Sequence, residues 1–160
     1  GKVVKRKGGA IRSMVMEYYS PVLEVRTLTA EMLMAAKGDD PGFEKKLVTR
    51  LPRMVIEARQ PVKFIMNLLG LISEYPFVHA SAVPASSFRT VSLIDLVNGR
   101  VPAGLFRGKY VLFGKMKKDE DVHPFVTPLL PGKTEIHFVY FHLFALVQLL
   151  MQEEAIRTGK

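Results

Sequence analysis

The run from Ile136 to Met151 is almost wholly apolar, and no other stretch restricts the fold as sharply. A helix that is hydrophobic nearly all round has to be buried, either in a protein core or in lipid. His137, His142 and Gln148 interrupt the run, which falls short of the roughly 18–20 uninterrupted residues that a membrane span needs. The expectation is a long buried helix from Thr134 to about Glu154, packed on a sheet. A chain of 160 residues can supply one such core and no more. With 48% hydrophobic and 24% charged residues it has an ordinary globular balance. Residues 1–160 are therefore expected to form a single domain.

The rest of the chain is expected to supply the surface against which that helix packs. Ala10 to Tyr19, rich in Val and Tyr, reads as a strand ended by Ser20-Pro21. Thr27 to Lys37 reads as a helix capped by Thr27 or Thr29, with Leu28, Met32, Leu33 and Ala36 on one face and Gly38 as its stop. Asp39-Asp40-Pro41-Gly42 carries turn chemistry. Short strands are expected at Met54–Ala58 and Leu71–Tyr75, then a connector from Pro76 to Ser87. A helix over Val91–Gly99 has Ser92 at its N-cap, an apolar stripe of Leu93, Leu96 and Val97, and Gly99 just past its end. Lys109 to Gly114 reads as a strand buried on both faces, Lys115 to Asp121 as a charged loop, and Val126 to Gly132 as a rigid extended segment. The fold class expected is α/β, with a central, mostly buried sheet flanked by helices and a long C-terminal helix.

Chemistry is sparse. The absence of cysteine excludes disulfides, Cys-based zinc sites and thiol catalysis. His137 and His142 are five apart, not the four of a helical metal pair, and His79 and His123 are expected in separate loops. No metal or cofactor is expected, and these histidines read as satisfied structural groups. Gly108 and Gly114 bracket the expected strand instead of following it, so they form no dinucleotide fingerprint; no Walker motif and no triad order is present either. No enzyme is expected. The net charge of +8 favours anionic surroundings, but aromatics and bases interleave too little for a nucleic-acid platform. The opening Lys2, Lys5, Arg6 and Lys7, with Gly8 and Gly9, read as a solvated loop. Asp119, Glu120 and Asp121 beside Lys115, Lys117 and Lys118 read as a self-neutralising loop.

Four stretches in series carry a family resemblance over residues 86–150. Phe88 to Pro102, with Ser92, Asp95 and Gly99, is similar to a "Ser … Asp-(Val/Leu)-Leu-x-Gly" helix. Leu105 to Gly114 contains a Gly-Lys-x-Val-x-(Ile/Phe)-Gly strand motif. Asp121-Val122-His123-Pro124 and Thr127-Pro128-Leu129 match an "Asp … Thr-Pro" loop, and Pro131-Gly132 with Glu135-Ile136-His137 match a "Pro-Gly-x-Glu-Ile-His" lead into a final helix. In order and spacing these resemble the C-terminal half of CHASE type-two sensor domains. Upstream, Gly8 to Arg12 and Leu28 to Leu33 resemble that family's first turn and helix. The chain begins at Gly1 and shows no signal-peptide pattern, so it reads as an excised fragment lacking the family's N-terminal portion.

The resemblance implies an extracytoplasmic input module of a membrane-bound bacterial signalling protein, on the periplasmic or cell-surface side. Its partners would be a small-molecule or protein signal, adjacent transmembrane helices and a cytoplasmic cyclase or kinase output domain, with a homodimer compatible. Asp121, His123, Thr127, Glu135 and His137 are the ligand-binding candidates. Their structural alternative is to knit the strand-loop-helix junction, with Thr127 and Glu135 serving the helix start. The competing reading is a soluble cytoplasmic α/β enzyme or anion-binding domain in which the Lys115–Asp121 loop meets substrate.

Overall fold

The computed structural model describes residues 3–5, 11–15, 17–19, 24–55, 74–79, 87–117, 120–127 and 130–160. Strands come first: β1 (Val3–Lys5), β2 (Ile11–Val15), β3 (Glu17–Tyr19) and β4 (Glu24–Arg26). Two helices follow, α1 (Leu28–Ala36) and α2 (Pro41–Arg50), then β5 (Arg53–Val55) and β6 (Glu74–His79). A five-residue helix α3 (Leu93–Val97) and a 3-10 turn at Ala103–Phe106 lead to β7 (Val122–Thr127), β8 (Leu130–His137) and the 21-residue α4 (Phe138–Thr158). Strands pair in the order β5-β6-β2-β7-β8, with β1 also on β2, while β3 and β4 form a separate ladder. Pairing is antiparallel except between β2 and β7, which meet in parallel at Ile11 and Phe125.

The expected mixture of helices and strands ending in a long helix is present. α4 begins at Phe138, not Thr134, and runs to Thr158, not Glu154. Its start is displaced because Thr134, Glu135, Ile136 and His137 belong to β8, where the ladder with β7 occupies their backbone groups. Its end is set by Gly159 in the left-handed region, φ 70°, where glycine has no Cβ penalty. No helix among the described residues is long and apolar enough to cross a membrane.

α1 starts and stops where the sequence expects: Thr27 is the N-cap and Gly38 turns the chain at φ 65°. Its buried residues are Thr29, Ala30, Leu33 and Met34, however, and Leu28 and Ala36 are exposed. The face toward the core is rotated about one position from the expected stripe, with Ala30 and Leu33 in one cluster with Leu149 of the C-terminal helix. The expected turn at Asp39–Gly42 is the head of α2. Asp40 is its N-cap, accepting the Gly42 N–H at 2.8 Å, and Pro41 occupies the first turn, where no N–H is needed. Phe43, Leu47 and Leu51 then recur every fourth residue toward the core.

That core joins Ala30 and Leu33 of α1, Leu47 of α2, Leu51, Val78 of β6 and Leu149 of α4. Each of its large aliphatic side chains, fully buried, contributes about 1.5–3 kcal/mol. Toward the other end of α4, Phe141, Phe144 and Leu146 are buried, and Tyr140 and Phe144 gather with Phe88 at ring centroid distances of 6.0–6.3 Å. Lys37 at the end of α1 pairs with Glu153 of α4. Arg26 grips Glu44 in a two-pronged ion pair, Nε to Oε1 at 2.6 Å and Nη2 to Oε2 at 2.8 Å, which ties the β4 end to α2.

Other expectations need correction. Lys109–Gly114 forms no strand: it is irregular chain with Phe113 74% exposed and Val111 also open. An apolar run becomes a buried strand only if a ladder receives it, and this one lies beside the start of α4 instead. Pro76 to His79 belong to β6 and not to a connector, and His79 and His123 lie on strands, not loops. Of the expected extended segment Val126–Gly132, Val126 and Thr127 end β7 and Leu130 to Gly132 begin β8, with Thr127 facing Leu130; 128 and 129 lie outside the described residues. Lys5 lies in β1; Lys2, Arg6, Lys7, Gly8 and Gly9 lie outside the described residues, as do 56–58 of the expected Met54–Ala58 strand and 71–73 of the Leu71–Tyr75 strand.

Candidate functional site

The β7–β8 hairpin decides where the sequence-selected residues go. In its register Val122 faces His137, His123 faces Ile136, Pro124 faces Glu135 and Thr127 faces Leu130. Thr127 is thus at the tip, seven residues from His137 along β8, or about 20 Å at the usual strand rise. It is not at the helix start and does not cap it. Glu135 is exposed, two residues before the N-cap His137, and the first turn of α4 contains no acidic residue. It therefore stands outside the first turn of α4, on β8 just ahead of the helix start. His123 is placed on β7 opposite Ile136, level with Glu135 and His137, so of the five candidates Thr127 is the one set at the far end of the ladder.

Asp121 and His137 do come together, through backbone chemistry. Asp121 has a left-handed backbone, φ 52°, uncommon for a residue other than glycine. That turn aims its carbonyl at α4, where it accepts the Phe138 N–H at 3.0 Å and satisfies one donor that a helix start leaves unpaired. One residue earlier, the Glu120 carbonyl accepts from His137 Nδ1 at 3.2 Å. A carbonyl oxygen only accepts, so Nδ1 carries the hydrogen. Glu120 also receives both Lys115 and Lys117, whose hydrogen bonds hold its carboxyl below the usual carboxylate range. The charged loop neutralises itself in this way, as its composition implies.

One residue that matters here escaped the sequence reading. His142, expected to be a satisfied structural histidine, has its Nδ1 buried with no hydrogen-bond partner among the described residues. It sits edge-on to Phe138, ring centroids 4.7 Å apart. Burial pushes its pKa below the ordinary histidine value, and the charge of Asp121 opposes that push. The signal available in the sequence was an imidazole placed inside the longest apolar run. Among the described residues, no group of three His, Cys, Asp or Glu side chains is arranged to hold a metal ion.

Beside the helix start lies a groove of about 1000 Å³. Leu93 and Leu96 of α3 form one wall, the irregular 109–116 segment another, and Val139, Tyr140 and Leu143 of α4 the floor. Gly114 makes the close approach possible: a Cβ there would lie 2.4 Å from Val139 Cβ. The expected helix over Val91–Gly99 is present as α3, with Ser92 as N-cap and Gly99 at φ 66°. Of its expected apolar stripe, Leu93 is 62% and Val97 77% exposed while Leu96 is half-buried, and Ile94 beside them is exposed too.

No protein-family model, no curated protein and no solved structure matches this chain.

Proposed function

We propose that the chain is the extracytoplasmic input module of a membrane-bound bacterial signalling protein, related to CHASE type-two sensor domains. A ligand- or partner-dependent shift would pass through its C-terminal helix to transmembrane helices and a cyclase or kinase output domain. The observation that carries the reading is the junction at the head of α4. The carbonyls of Glu120 and Asp121 hold His137 and Phe138, the last residue of β8 and the first of α4. Gly114, in the wall of the groove, rests on Val139 in the next position. A displacement of the 109–121 segment therefore acts on the end of a 21-residue helix. Two hydrogen bonds at about 1 kcal/mol each, plus this contact, match the few kcal/mol typical of coupling between sites. The finer architecture belongs to the same proposal: a central, mostly buried sheet, flanked by helices, against which α4 is held.

The competing soluble reading needs the Lys115–Asp121 loop to meet an anion, and Lys115 and Lys117 already share Glu120. Location separates the two. The chain has no cysteine, so Thr90→Cys, at an exposed position, adds one thiol to the parent protein in its own host. A membrane-impermeant maleimide should label this variant on intact cells above the unsubstituted protein. Labelling only after lysis would sink the extracytoplasmic reading.

A further inference from the structure

We infer that the groove between α3, the 109–116 segment and the head of α4 is a binding site for a long-chain carboxylate, its tail on the apolar floor and its carboxylate at Arg89 and Lys109. The floor and walls include Phe106, Leu112, Phe113, Val139, Tyr140 and Leu143. The volume, about 1000 Å³, is at the upper end of small-molecule pockets, which are apolar with a few placed polar groups. Phe113 and α3 present a contiguous exposed apolar surface of the kind that marks an interaction site.

Charge selects the occupant. Among the described residues no Asp or Glu lines the groove, whereas Arg89, Lys109 and Lys115 do. Lys115 is taken by Glu120. Arg89 and Lys109 have no carboxylate partner among the described residues; the nearby Arg100 is paired with Asp95 in the adjoining cleft. An apolar trough with two unmatched cations and no anion suits an amphiphile with one anionic end, held by charge-assisted hydrogen bonds. A second copy of a chain carrying net charge +8 would set the same cations against each other. The inference rests on the sensor reading only in treating the ligand as a signal; binding itself is independent of cellular location.

The test is titration calorimetry of the 160-residue chain with dodecanoate below its micelle concentration. Saturable 1:1 binding is expected, with decanoate about fifteenfold weaker, since each of the two missing CH₂ groups is worth about fourfold in affinity, and 1-dodecanol at least tenfold weaker. The Arg89→Gln/Lys109→Gln variant, altered at two exposed positions, should lose at least tenfold while keeping its circular dichroism and melting temperature. Val111→Glu, which brings a carboxylate to the groove edge, should abolish binding. Equal binding of dodecanol, an unchanged affinity in the double glutamine variant, binding confined to anionic phosphatidylglycerol vesicles, or a concentration-dependent dimer that excludes dodecanoate would each overturn the inference. None of these outcomes depends on the maleimide result, so the two readings fail separately.

Discussion

Gly114 and Val139 belong to segments that the sequence separates by the whole β7–β8 hairpin, and they touch. Any side chain at 114 meets Val139 at its Cβ, the part of a β-branched residue least able to move. Gly114→Ala should therefore destabilise the chain by about 1–3 kcal/mol, the usual cost of overpacking. Val139→Ala added to it should recover only part of that loss, since it removes the methyls at 2.5 and 3.0 Å but keeps the Cβ, as urea-unfolding midpoints of both variants would show. His142 supplies a pH dependence with a definite sign. Its folded pKa is below the unfolded value of about 6.5, so the unfolded chain binds the proton more readily. The stability present above about pH 6.5 falls as the pH drops from there toward the folded pKa. His142→Leu should flatten that slope: melting temperatures at pH 7.5 and 5.5 should differ less for the variant than for the unsubstituted chain.

At the scale of elements, local signals worked where a cap or stop was written in a few adjacent residues. Thr27 and Gly38 bound α1, and Ser92 and Gly99 bound α3, because capping geometry depends on neighbours alone. Asp39-Asp40-Pro41-Gly42 was expected as a turn, but the same Asp-Pro pair also opens helices, and the Asp40 carboxylate on the Gly42 N–H shows that it opens α2. Asp40→Ala should cost α2 about 1 kcal/mol, measurable as a lowered melting temperature, while Asp40→Asn should retain most of the stability. Lys109–Gly114 failed for the opposite reason. Strand formation needs a partner elsewhere in the chain, and a short apolar run such as Tyr110–Phe113 cannot specify whether that edge is free. The hairpin shows the same dependence: Val126–Gly132 was expected as a rigid extended segment, yet Val126 and Thr127 belong to β7 and Leu130 to Gly132 to its partner β8.

Across the whole molecule, α4 is the element that the two buried regions share. Its last turns close the core with α1 and α2 through Leu149, and its first turns hold the aromatic group around Phe88. That a long, apolar, buried helix would end the chain was determined by the sequence alone, because a run such as Ile136–Met151 has few places to go in water. The caps of α1 and α3 and the self-neutralising Lys115–Glu120 loop were legible on the same local grounds. Only the tertiary structure decided where α4 begins, since β8 takes Thr134 to His137 first. It alone decided that Thr127 stands away from the helix start while Glu120 and Asp121 meet His137 and Phe138 there, because the pairing register sets those distances. It also left Leu93 and Val97 of the α3 stripe exposed. An apolar periodicity states that a face seeks cover, but which surface covers it depends on contacts between segments remote in the chain.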